Sequence, residues 1–256
     1  MTDLHVTRWG GGEPAVFVHG SFGWGEATWR EQRPLADEYR LLLVDRRGFG
    51  RSPSRDGRVD FELDAADVAE LLGDGAHLVG SSYGGVVSLL AAARRPASVR
   101  SLCVIEPPAL GLARGHPTVE TFIANIDEAM RAATDPSDYR RRFLRGFGFP
   151  VENEKLAGTS LEAARASMTE RPPWEADVPL GALANAPFPV LVARGDWSTA
   201  PVSARTLGGA ALHAVCDVLE AQLGGDRAVF AGAAHNPQLL GEPFNERLRR
   251  FWSSAK

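Results

Sequence analysis

The most informative segment of the chain is His77-Leu78-Val79-Gly80-Ser81-Ser82-Tyr83-Gly84-Gly85-Val86-Val87-Ser88. It starts as a short apolar strand, passes through the pattern Gly-x-Ser-x-Gly and continues as an apolar helix. So sharp a turn from strand to helix needs small residues two positions before and two after the central serine, and Gly80 and Gly84 supply them. The pattern alone is weak, and a Gly-rich turn without chemistry is the alternative. In this sequence the Gly-x-Ser-x-Gly pattern lies between a strand and a helix, and that context favours Ser82 as a nucleophile at a helix N-terminus.

Short apolar runs bounded by Gly, Asp or Pro recur on both sides of this stretch and alternate with helix-like segments. Runs of this length without strict alternation are typical of strands buried on both faces. The pattern predicts an α/β fold with a mostly parallel central sheet and flanking helices. The predicted strands are 15–18, 40–44, 76–79, 99–105, 188–193 and 227–231, and the predicted helices are 62–72, 85–93, 210–223 and 245–252.

The alternation breaks after Pro107-Pro108 and resumes near residue 188. Between these points the sequence predicts only amphipathic helices, at 119–133, 137–147 and 161–169, separated by Gly and Pro. We therefore expect a core of residues 1–107 and 188–256 and a helical cap or lid of residues 108–187. A chain of 256 residues is long enough for one such domain with an insertion.

Two loops that follow other predicted strands complete a candidate site. The loop after 16–18 contains His19-Gly20-Ser21-Phe22, and the backbone N–H of Ser21, or alternatively of Phe22, is expected to converge with that of Tyr83 on a developing oxyanion. For the His19 side chain we expect hydrogen bonds to the backbone.

The loop after the last predicted strand carries His235 among small residues. A general base must come within hydrogen-bond distance of the serine, and a loop at the carboxyl end of a strand can deliver it. Of the six histidines, His235 alone combines this chain position with such a loop.

In these features the sequence resembles the α/β-hydrolase superfamily. The segments that carry the likeness are His19-Gly20, 45–52, 80–85 and 232–235, in the superfamily's order. The resemblance implies a serine hydrolase of the carboxylesterase or lactonase kind, in which 45–52 is a structural turn and 108–187 is the cap. Most relatives carry the triad acid where this chain has Ser198, so the usual acid position is empty.

Two carboxylates are candidates for the missing acid. Glu106 ends the strand directly after the nucleophile helix, an arrangement that resembles haloalkane dehalogenases and zearalenone-type lactonases. A carboxylate there is costly to leave unpaired, and His235 would be a suitable partner. Asp196 is the alternative acid, and the alternative role for Glu106 is to anchor the cap.

The substrate is less well determined by the sequence. Aromatic residues near the motifs and in the cap predict a small, largely apolar molecule, although core packing is the common role of such residues. The predicted substrate-binding residues are Phe22, Trp24, Phe147 and Trp174. Because one fold serves many chemistries, a lyase, a perhydrolase, a cofactor-free oxygenase and a non-catalytic small-molecule receptor remain alternatives.

The composition of the chain bears on which classes of partner it can bind and where it is located. The net charge of −4, with Lys and Arg scattered among Asp and Glu, argues against nucleic acid as a partner. No secretion signal or apolar stretch of membrane-spanning length is evident, so we expect a cytoplasmic protein with no membrane partner. No metal-ligand spacing or dinucleotide loop is present, and we expect no cofactor. A homodimer remains an alternative to a monomer.

Overall fold

The computed structural model describes residues 3–54 and 58–254. Residues 1–2, 55–57 and 255–256, which the predicted core includes, lie outside the described residues. Within the described part, seven strands form one sheet in the order β1-β3-β2-β4-β5-β6-β7. The strands are β1 (Val6–Trp9), β2 (Glu13–Val18), β3 (Tyr39–Val44), β4 (Ala76–Ser81), β5 (Val99–Ile105), β6 (Val190–Gly195) and β7 (Asp226–Phe230).

All neighbouring strands run parallel except β1, which pairs antiparallel with β3. The predicted fold class, a mostly parallel sheet with flanking helices, is confirmed. The sequence analysis missed β1 because this four-residue edge strand is only partly buried and has no continuous apolar run.

Helices lie on both faces of the sheet and also form most of the segment between β5 and β6. They are α1 (Gly25–Thr28), α2 (Phe61–Leu71), α3 (Tyr83–Arg94), α4 (Pro117–Ala132), α5 (Pro136–Gly146), α6 (Gly158–Ser167), α7 (Leu180–Ala184), α8 (Val202–Ala204), α9 (Ala210–Leu223) and α10 (Glu242–Ser254). Short 3-10 turns span Arg30–Asp37, Pro96–Ser98, Leu110–Ala113, Pro173–Glu175 and Pro237–Leu240, and a π-helical turn, Arg205–Gly209, joins α8 to α9. No helix of the described residues is both long and apolar enough to cross a membrane.

The sheet separates two hydrophobic cores because successive strand residues point to opposite faces. Along β2, Val16 and Val18 belong to one core, whereas Ala15 and Phe17 belong to the other. All four are completely buried, which explains why the strand is apolar at consecutive positions.

The segment between β5 and β6, residues 108–187, is called the inserted segment below. Its helices α4 to α7 contribute no strand to the sheet, and its one described β contact is a bridge between Glu170 and Val59. Phe122 and Ile126 of α4 extend the core on one face of the sheet.

The carboxyl ends of β4, β5, β6 and β7 meet at one edge of the sheet, because these strands are parallel neighbours. Each is followed by a residue that the sequence analysis singled out: Ser82, Glu106, Asp196 and His235 in that order. The topology therefore brings the candidate residues to one place.

Candidate active site

The turn that carries Ser82 is strained in the way its sequence predicts. Ser82 has φ 53° and ψ −125°, a conformation that L-residues rarely adopt. A Cβ on Gly80 would lie 2.3 Å from the Gly84 carbonyl oxygen, and one on Gly84 would lie 2.3 Å from that of Val18. Glycine is therefore required at both positions.

A continuous chain of hydrogen bonds runs through three candidate residues. Nε2 of His235 lies 2.9 Å from Ser82 Oγ, and its Nδ1 lies 2.8 Å from Glu106 Oε2. Because an ionised carboxylate can only accept, Nδ1 carries the proton that it donates to Glu106. Nε2 is then free to accept a proton from Ser82, as a general base must.

Glu106 is fully buried, with φ 40°, and its other oxygen is also occupied. Oε1 accepts hydrogen bonds from Gly195 N–H at 3.0 Å and from Trp197 Nε1–H at 2.8 Å. Burial by itself would raise the pKa of this carboxyl, but the N–H groups of His213, His235 and Trp197 near its oxygens outweigh burial. The pKa of Glu106 therefore lies below its ordinary value, and the carboxylate stays ionised at neutral pH.

Asp196, the alternative acid, has different partners. Its Oδ1 accepts from Ser198 N–H at 3.0 Å, from Ser198 Oγ–H at 2.8 Å and from Gly232 N–H at 3.0 Å. These bonds tie the turn after β6 to the loop that leads to His235. Burial contributes little here, and the backbone and hydroxyl donors of Ser198 lower the pKa of Asp196.

The loop of residues 20–22, called the 20–22 loop below, lies against the nucleophile. A Cβ on Gly20 would come within 2.7 Å of Ser82 Cβ. The N–H of Phe22 donates to Ser167 Oγ at 2.8 Å, which leaves Ser21 N–H as the candidate oxyanion donor of this loop. The second candidate, Tyr83 N–H, belongs to the first residue of α3.

His19 has the backbone-bonding role that the sequence predicts. Its Nε2 accepts from Arg46 N–H at 3.0 Å, so Nδ1 is the protonated nitrogen and donates to the Gly20 carbonyl at 2.7 Å. Burial, and then the charge of Arg46, hold the pKa of His19 well below its ordinary value, so the ring is neutral.

Two cavities meet at Ser82. The larger, of about 690 Å³, is lined by Phe22, Phe147 and His235 among others, with Arg140 also in its wall. The smaller, of about 40 Å³, is lined mainly by apolar side chains of the inserted segment, including Phe147 and Trp174. Trp24, the remaining predicted substrate-binding residue, precedes α1 and lines neither cavity.

Several residues at this site were not predicted from the sequence. His213 of α9 places Nε2 3.0 Å from the Gly195 carbonyl oxygen and 3.7 Å from Glu106 Oε1, so its main hydrogen bond is to the carbonyl. Ser167 and Glu170 contact the 20–22 loop from the inserted segment. Their burial depends on the fold, and no local pattern marks them.

Within residues 3–54 and 58–254, no group of three or more His, Cys, Asp or Glu side chains is arranged to hold a metal ion.

Comparison with known proteins places this architecture in a family. Residues 15–247 match the Alpha/beta hydrolase family. The chain belongs to this family. A solved structure of a thermophilic esterase from Thermogutta terrifontis, with malate bound, superposes on this alpha/beta hydrolase with a TM-score of 0.63. The match covers 98% of this chain and 93% of that one at 20% identity, a level that shows a shared fold alone.

Two curated relatives of this alpha/beta hydrolase are named pimeloyl-[acyl-carrier protein] methyl ester esterase. The protein from Aeromonas salmonicida is 32% identical over 173 residues, and the one from Aeromonas hydrophila is 38% identical over 173 residues. Each alignment covers 66% of this chain and 66% of the relative. The chain thus matches just under two thirds of the length of these relatives.

Proposed function

We propose that this alpha/beta hydrolase cleaves a carboxylic ester or lactone of a small, largely apolar molecule through an acyl-enzyme on Ser82. The hydrogen-bond chain from Ser82 through His235 to the buried Glu106 is the observation that carries the proposal. The two Aeromonas relatives support it, since both are named as ester hydrolases.

In the first half-reaction His235 Nε2 takes the Ser82 proton as Oγ attacks the substrate carbonyl carbon. The carbonyl oxygen becomes an oxyanion, which accepts hydrogen bonds from the N–H groups of Ser21 and Tyr83. The carbon–oxygen bond to the alcohol then breaks, and the protonated His235 gives its proton to the leaving oxygen. In a lactone, that alcohol remains attached to the acyl group.

In the second half-reaction His235 activates a water molecule that attacks the acyl-enzyme. The same two N–H groups stabilise the second oxyanion, and Ser82 regains its proton as the acid leaves. Throughout both steps Glu106 holds the ring of His235 in the required tautomer and stabilises its protonated form.

The cavities support a substrate with two unequal parts. The larger cavity is within the usual size range of small-molecule pockets, and its apolar wall, with Phe22 and Phe147, suits a long or bulky apolar group. The smaller cavity, bounded by Trp174, has room for only a few atoms. Helices of the inserted segment supply much of the walls of both cavities. We therefore propose that the inserted segment acts as the cap that sets substrate preference.

A panel of p-nitrophenyl esters and lactones tests this function. Wild-type protein should hydrolyse at least one member of the panel, and Ser82→Ala should abolish that activity. Ser81→Ala is the matched control, because Ser81 is the adjacent serine and has no role in the mechanism. Hydrolysis retained by Ser82→Ala would contradict the acyl-enzyme. Binding of panel members without turnover would instead favour a receptor.

A further inference from the structure

The 20–22 loop has a conformation that needs support. Phe22 has φ 61°, a left-handed conformation that costs an aromatic residue energy unless the surrounding structure imposes it. The Ser21 N–H belongs to the preceding peptide, so the contacts that fix the Ser21–Phe22 peptide also limit how far the Ser21 backbone can move. The contacts that hold Phe22 therefore bear on the oxyanion donor.

Two side chains of the inserted segment bond to this loop. Ser167, the last residue of α6, is fully buried and accepts the hydrogen bond from Phe22 N–H at 2.8 Å. Glu170 Oε2 accepts a hydrogen bond from Ser21 Oγ–H at 2.5 Å. Two consecutive residues of the loop are thus held from outside the core.

Glu170 is in turn fixed to the core. Its Oε1 pairs with Arg46 at 2.5 Å, and Arg46, also fully buried, donates to the carbonyl oxygens of His19 at 3.1 Å and Gly20 at 3.3 Å. The neighbours of Glu170 also bond to Val59, whose N–H donates to Thr169 at 2.9 Å and whose carbonyl oxygen accepts from residue 171 at 2.7 Å. The carboxylate is therefore a rigid anchor.

We propose that Ser167 and Glu170 are positioning residues that hold Ser21 N–H in the oxyanion hole. Neither touches the reacting atoms in this scheme. The oxyanion hole is then assembled jointly by the core and the inserted segment, so the seating of the segment over the cavity and the readiness of the site for chemistry are coupled. The inference rests on the proposed acyl-enzyme mechanism.

Variants that remove one tether at a time test this coupling. Ser167→Ala removes the acceptor of Phe22 N–H, and Ser21→Ala removes the tether to Glu170 while keeping the Ser21 backbone donor. For an ester that the wild-type protein hydrolyses, we expect each variant to lower kcat by about 10-fold to 100-fold, approaching the loss of one oxyanion donor. KM should change by less than about threefold, because the tethers act on the transition state.

Three measurements separate positioning from a general structural defect. Inhibition by a trifluoromethyl ketone, whose adduct with serine is an oxyanion, should weaken by the same factor as kcat/KM falls. Ser21→Thr retains a hydroxyl and should restore most of the activity. Ser160→Ala, a matched control at an exposed position of α6, should behave as wild type.

The proposal is overturned if both tether variants keep kcat within about twofold of wild type, or if KM alone rises. Ser82→Ala, assayed alongside, distinguishes failure of the positioning role from failure of the acyl-enzyme mechanism. If Ser82→Ala is inactive while the tether variants are fully active, only the positioning role fails. If Ser82→Ala remains active, the proposed function itself fails.

Discussion

Replacement of Glu106 by glutamine would change one end of the hydrogen-bond chain with little change in volume. In the structure Oε1 accepts from two N–H donors, those of Gly195 and Trp197, whereas Oε2 accepts from one, on His235. The amide oxygen of the glutamine will take the position with two donors, since an NH₂ group there would face both N–H groups. The NH₂ group must then point at His235.

This orientation reverses the tautomer of His235. Its Nδ1 must become an acceptor for the glutamine NH₂ group, so the ring proton moves to Nε2. Nε2 then carries a hydrogen where it should accept the Ser82 proton. An asparagine in place of a triad aspartate lowers kcat by about 10⁴ in a comparable arrangement, which is about 5 kcal/mol of transition-state stabilisation. We expect a loss of this order for Glu106→Gln.

The assay compares kcat of wild type, Glu106→Gln and Asp196→Asn at saturating ester, with circular dichroism to confirm folding. Asp196→Asn is the matched control, because Asp196 bonds to Ser198 and Gly232 and leaves the chain from Ser82 to Glu106 intact. Asp196→Asn should lower kcat much less than Glu106→Gln does. If Asp196→Asn loses most of its activity while Glu106→Gln stays nearly normal, Asp196 in the turn after β6 is the triad acid and Glu106 is not.

Phe147→Ala or Trp174→Ala should alter the relative kcat/KM values of esters with different acyl chain lengths, whereas equal losses for all esters would point to a general defect. Gly84→Ala should lower the free energy of unfolding, measured in urea, by about 1–3 kcal/mol, because its Cβ would lie 2.3 Å from the Val18 carbonyl oxygen. Gly181→Ala is the control and should not lower it, because a Cβ at position 181 would have nothing within 4 Å. The pKa of Glu106 is lower in the folded state than its ordinary value of 4.5. Ionisation of Glu106 therefore stabilises the fold at pH values above 4.5, and this stabilisation is lost as the pH falls through the folded-state pKa. The melting temperature of wild type should therefore fall more steeply than that of Glu106→Gln below about pH 4.5, and parallel curves would count against an ionised Glu106.

Much of the fold could be predicted because its signals are local. Strands β4, β5 and β6 are buried almost throughout and therefore form apolar runs, and the turn around Ser82 needs glycines that the sequence displays. The expectation that Glu106 would have a hydrogen-bonding partner also held, since a buried carboxylate at a strand end demands one.

The remaining features depend on tertiary contacts. Trp197 and His213 approach Glu106 only because β6 pairs with β5 and α9 packs against β6, and neither residue belongs to a motif. Ser167 and Glu170 reach the 20–22 loop from more than 140 positions away along the chain. Trp24 is close in sequence to the 20–22 loop yet lines neither cavity, because proximity along the chain does not fix the direction of a side chain.

Covalent labelling identifies the nucleophilic serine without any knowledge of the natural substrate. Wild-type protein and the Ser82→Ala and Ser81→Ala variants are treated with a fluorophosphonate, which reacts with activated serines, and the adduct is mapped by peptide mass spectrometry. We predict an adduct on Ser82 in wild type and in Ser81→Ala, and none in Ser82→Ala. An adduct on Ser81 or on another serine, with Ser82 unmodified, would show that Ser82 is not the nucleophile.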